Sequence, residues 1–66
     1  MELVVNGKPH QHNGTGSVVE LLREFQAEPA RIALMVNGEV LRKARWDSVK
    51  LASGDQVELL TFTAGG

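Results

Sequence analysis

The 66-residue chain contains no cysteine. That single absence excludes a disulfide framework, a cysteine-ligated zinc site and a thiol nucleophile. An excess of charge of one sign is missing too. Seven lysines and arginines stand against eight aspartates and glutamates, for a net charge of -1, so no general electrostatic pull toward nucleic acid or an anionic membrane exists. The longest apolar run, Ile32 to Val36, is five residues, where a bilayer span needs about 20. Met1 to Asn6 has neither the basic region nor the apolar stretch of a signal peptide, which predicts a cytoplasmic protein. No GxxxxGK[ST] loop occurs, and no GxGxxG follows a strand. Gly14-Thr15-Gly16 precedes a helix, but no lysine follows, and Ser17 and Glu20 are placed to take the free amides there. The only basic cluster, Arg42, Lys43 and Arg45, is interrupted by Ala44. It reads as a solvated face, with contact to an acidic partner as the alternative.

What is present describes one small folded domain over residues 1–66, with a flexible tail expected over 64–66. Hydrophobic residues make up 42% and charged residues 23%, too apolar for disorder and ordinary for a globular fold. Glu2 to Asn6 is a short apolar run closed by Asn6-Gly7, a strong hairpin signal. Lys8 to His12 is the return strand, and Pro9 assigns it to a sheet edge because proline cannot donate to a ladder. Ser17 with Glu20 forms a capping box. Val18, Leu21, Leu22 and Phe25 then follow at helical spacing as one apolar stripe, and Pro29 disfavours continuation. Arg31 to Asn37 and Glu39 to Arg42 repeat the hairpin logic around Asn37-Gly38. Residues 43–53 are irregular, with Trp46, Val49 and Leu51 as anchors, and Gln56 to Thr63 is the last strand. Five strands and one helix must share one core. The simple solution is an α+β roll of the ubiquitin-like, β-grasp kind: a mixed four- to five-stranded sheet packed on one helix.

Catalytic groups are sparse. His10 and His12 lie two apart on a strand and face the same way, but no third metal ligand is near in sequence, so they read as exposed edge histidines. Ser17 is a cap, and Ser48 and Ser53 sit in loops without triad partners. What remains is the C-terminal Ala64-Gly65-Gly66. With glycine at 7 of 66 residues, composition alone would put two at the end of roughly one such chain in a hundred. Fraying also favours glycine at termini, so the motif is moderate by itself. Its chemistry adds weight. A terminal carboxylate is ionised at neutral pH and is a poor electrophile until adenylated. Glycines lack a β-carbon, so they can thread a narrow active site and leave the acyl carbon open to attack. Nothing here binds ATP, so a partner must perform the activation.

In Val36-Asn37-Gly38-Glu39-Val40, Trp46-Asp47, Leu51, Gly54-Asp55-Gln56-Val57-Glu58 and Ala64-Gly65-Gly66, the chain resembles the ThiS family of sulfur carrier proteins of thiamine biosynthesis. The similarity runs over its whole length. Each piece alone is weak; together, in this order and spacing, they are fairly specific. The last strand, Leu59-Leu60-Thr61-Phe62-Thr63, is less aliphatic than in many members. The resemblance implies a protein co-substrate, not an enzyme. A ThiF-like adenylyltransferase would use ATP and magnesium to adenylate Gly66, while this chain binds no cofactor or metal. Sulfur from a cysteine desulfurase route would replace AMP, and the thiocarboxylate would serve thiazole synthase. Gly65 and Ala64 would give access. On the last strand, alternation places Val57 and Leu59 inward and Leu60 and Phe62 outward, where they are candidate docking residues; the alternative is that Phe62 folds back as a lid on the core. Other readings stay open: the small subunit of molybdopterin synthase, a modifier conjugated to lysines, or a β-grasp binding module with an incidental Gly-Gly.

Overall fold

Two Asn-Gly pairs set the hairpins. The computed structural model describes residues 1–62. In it Asn6 and Gly7 have φ of 52° and 81°, and Asn37 and Gly38 have φ of 51° and 84°, the paired positive values that a two-residue hairpin turn of type I′ requires. The first turn joins β1 (Glu2–Val5) to β2 (Lys8–Gln11), and the second joins β3 (Ile32–Val36) to β4 (Glu39–Leu41). The last strand, β5 (Gln56–Thr61), runs parallel to β1 and antiparallel to β3, giving the order β2-β1-β5-β3-β4. Pro9 therefore sits on an edge strand, as its missing N–H demands.

Both turn asparagines fasten β5. The Asn37 side chain accepts the Gln56 N–H at 2.9 Å and donates to the Asp55 carboxylate at 3.1 Å, while the Asn6 side chain accepts the Leu59 N–H at 2.8 Å. The strand that leads to the C-terminus is thus held centrally by β1, β3 and both hairpin tips.

Helix α1 (Val18–Glu24) lies across the inner face and buries Val18, Leu21 and Leu22 against Leu3, Val5, Leu34, Trp46, Leu51 and Val57. Complete burial of one such side chain is worth roughly 1.5–3 kcal/mol, so this cluster dominates the stability of so small a domain. At the start of α1 the Ser17 hydroxyl accepts the Glu20 N–H at 3.2 Å, as expected, but the Glu20 carboxylate reaches back to the Thr15 N–H at 2.8 Å and the Thr15 hydroxyl at 2.9 Å. Those Thr15 bonds hold the Glu20 carboxyl below the ordinary range.

The other end of the helix corrects the apolar stripe. Phe25 is the C-cap and is 39% exposed, not a core residue. Gln26 turns left-handed at φ 53°. The Ala27 N–H then bonds to the Leu22 carbonyl at 2.9 Å and the Gln26 N–H to the Arg23 carbonyl at 3.0 Å, a Schellman closure built without glycine. Residues 43–48 form a 3₁₀ turn whose Trp46 is buried and donates its indole N–H to the Leu41 carbonyl at 2.9 Å. Leu51 is buried as expected, and Val49 is half-buried. β5 ends at Thr61, two residues before the expected boundary, although the Phe62 N–H still reaches the Arg31 carbonyl at 2.8 Å.

Candidate functional site

The last strand presents exposed apolar residues on its outer face. Val57 is buried and Leu59 half-buried against the core, while Leu60 and Phe62 are 50% and 57% exposed. The alternation therefore has the expected phase, and Phe62 does not fold back over the core. Register adds neighbours that alternation could not supply. Leu60 stands opposite Ala33, Met35 stands opposite both Glu58 and Val40, and Val40 is exposed on β4. An apolar surface thus spans three strands beside the point where the chain leaves the sheet. Ala64, Gly65 and Gly66 lie outside the described residues.

His10 and His12 do face the same way, but they are not a pair of exposed edge residues. His10 is half-buried and His12 is 1% exposed. One oxygen of the Glu24 carboxylate meets His10 Nε2 at 2.7 Å and His12 Nδ1 at 2.9 Å, and the other accepts the Asn13 N–H at 2.8 Å. His12 Nε2 accepts the Gly16 N–H at 3.0 Å. That bond assigns the ring proton of neutral His12 to Nδ1, where it is donated to Glu24. A metal at the meeting point would need the same Nδ1 lone pair, so the donor set does not suit one. Among the described residues no group of three or more histidines, aspartates or glutamates could hold a metal ion. The signal that could have exposed this cluster was Glu24, whose place on α1 brings it over the β2 edge.

Burial alone would push the Glu24 carboxyl up, but the bonds from His10, His12 and Asn13 outweigh it and hold it at about 2. Its folded value lies below the ordinary 4.5, so its contribution is complete above that pH and is lost as the pH falls toward 2. Glu24→Gln should remove on the order of 2 kcal/mol at neutral pH and flatten the acid limb of the stability curve in that window. Urea unfolding at a series of pH values checks this; an acid limb as steep as in the wild type would refute it.

The basic residues Arg42, Lys43 and Arg45 are exposed, and the Lys43 ammonium lies 5.9 Å from the centre of the Trp46 ring. No helix of the described residues is long and apolar enough to cross a membrane.

A mixed five-stranded sheet with its first and last strands parallel and one helix across its inner face defines a β-grasp domain of the ubiquitin-like class. The model of the ThiS family matches residues 3–66, and the chain belongs to that family. It is similar to the thiamine biosynthesis protein ThiS of Geobacter metallireducens, whose crystal structure it matches with a TM-score of 0.81 and 39% identity over the whole of both chains. It is 32% identical to the sulfur carrier protein ThiS of Bacillus subtilis, over 97% of this chain and 98% of that one. It is also 30% identical over its full length to a thiazole synthase of Paramagnetospirillum magneticum, of whose length it spans 20%.

Proposed function

We propose that this chain carries sulfur as a thiocarboxylate on Gly66 for thiazole formation in thiamine biosynthesis. A ThiF-type adenylyltransferase, using ATP and magnesium, transfers AMP to the Gly66 carboxylate and releases pyrophosphate. Adenylate is a good leaving group where the free carboxylate oxygen is not, so a sulfide equivalent from a cysteine desulfurase route can displace it. The resulting thiocarboxylate is the nucleophile that thiazole synthase consumes, in the cytoplasm. No step needs a catalytic group from this chain. Its own contributions are the end that is activated, the slim Ala64 and Gly65 before it, and the surface by which partners hold it.

The observation that carries this reading is the exposed pair Leu60 and Phe62 at the end of a firmly tethered strand, a few residues before Gly-Gly in a ThiS family chain. Apolar surface of this kind on so small a domain favours a protein partner. The likeness to segments of two thiazole synthases, each spanning 20% of the relative, favours thiazole over molybdopterin as the destination.

Intact-mass measurement tests it. Incubation with ATP, magnesium, a ThiF-type adenylyltransferase and a persulfide-loaded desulfurase with reductant should add about 16 Da, sulfur for oxygen, to a chain ending at Gly66. An unchanged mass, with partners that convert their own carrier, would sink the proposal and favour a plain β-grasp binding module.

A further inference from the structure

The outer face of the sheet carries one charge in its apolar middle. Along one row, Val40 of β4 faces Met35 of β3, and Met35 faces Glu58 of β5; the next row pairs Ala33 with Leu60. Glu58 is exposed, and among the described residues it takes part in none of the ion pairs or side-chain hydrogen bonds, which engage Glu20, Glu24, Glu28 and Asp55 instead.

Beside Glu58 a hollow of about 210 Å³ opens, lined by Val4, Gly7, Gly38, Gln56, Val57 and Glu58. Its rim includes the glycines of both hairpin turns, and a β-carbon built at either would meet nothing within 4 Å. At about 30 Å³ of liquid volume per water, the hollow has room for one long side chain. It is not part of the core, and no side chain of the described residues fills it.

A partner that covers Leu60 and Phe62 must also cover Glu58. Desolvating a lone carboxylate opposes binding unless the partner brings a matching charge. A carboxylate at the wall of a hollow with room for one long side chain therefore selects a cation on a long stem. We infer that the adenylating partner seats an arginine or lysine side chain in this hollow, paired with Glu58, while its apolar surface covers Leu60 and Phe62. This inference rests on the function proposed above and specifies the chemistry of the partner's surface. Glu58 is a specificity residue: it decides which surfaces can close over the apolar face, and it takes no part in the chemistry at Gly66.

The test is ATP–pyrophosphate exchange by a ThiF-type adenylyltransferase, with wild-type, Glu58→Gln and Glu58→Lys chains as the varied substrate at several salt concentrations. Glu58→Gln should raise KM about fivefold and Glu58→Lys about fiftyfold, with kcat within twofold of wild type. KM of the wild type should rise with salt, and that rise should flatten in Glu58→Gln, because the screened interaction is gone. A merely structural role for Glu58 would leave that salt slope unchanged, and thermal unfolding of the variants gives the folding control. Wild-type KM and salt slope in both variants would overturn the inference, even if the variants failed with thiazole synthase. No exchange with the wild-type chain would instead overturn the functional proposal on which the inference depends.

Discussion

A chain carrying both Leu60→Asp and Phe62→Asp is expected to fold like the wild type and to be adenylated at least about a hundredfold less efficiently, a loss of roughly 2.7 kcal/mol in transition-state binding. Both side chains are half-exposed, and Leu60 alternates with the core-facing Val57 and Leu59 on β5, so removing them takes little from the core. Aspartate in a strand costs up to ~1 kcal/mol, which a domain of ordinary stability tolerates. At an interface the same change acts twice: it deletes apolar anchors of the kind that dominate binding energy, and it buries carboxylates that the partner is not built to pair. The loss should appear in kcat/KM from ATP–pyrophosphate exchange while circular dichroism and thermal unfolding stay close to wild type. Normal exchange by the double variant would show that the outer face of β5 is not the docking surface.

How much of this was readable without coordinates differs by kind of interaction. The hairpins were legible because Asn6-Gly7 and Asn37-Gly38 name their own backbone conformation, and the phase of β5 was legible because strand alternation has a period of two. Interactions between elements were not. Nothing in the local sequence says that the Asn6 side chain captures the Leu59 N–H, 53 residues away, or that Met35 stands beside Glu58. Phe25 was misplaced because helical spacing continues through it, while the left-handed turn at Gln26 that ends the helix uses no glycine to announce itself. His12 was misplaced for a related reason. A histidine at a strand end has no burial signal until a carboxylate and a backbone N–H arrive from other parts of the chain. The exposed residues of β5's outer face were therefore legible from periodicity, but the charge beside them needed the register of three strands.

His12→Ala should lower the stability of the domain by about 3 kcal/mol, a cost on the scale of the larger core truncations and buried polar losses. Two independent losses combine. The ring is among the largest fully buried side chains, so its removal leaves a void that the neighbouring loop can close only in part. The Gly16 N–H also loses its acceptor in a buried setting, and Gly16 cannot readily move aside. It sits at φ 94°, its carbonyl accepts the Leu51 N–H at 2.8 Å, and a β-carbon there would lie 2.7 Å from the Leu51 carbonyl oxygen. For a domain of 60 to 100 residues such a loss lowers Tm by about 15 °C. His12→Phe separates the two terms, since it restores volume and leaves the Gly16 N–H without an acceptor; it should recover part of the stability and not all. A Tm within about 4 °C of wild type for His12→Ala, equivalent to less than ~1 kcal/mol, would mean that the loop finds other partners. Neither variant should change KM in adenylation at temperatures where it is folded. The reason is geometric: His12 works through the helix side of the sheet, and partner binding is proposed for the opposite face. A defect in adenylation by folded His12→Ala would break that division and require the two faces to be coupled through β5.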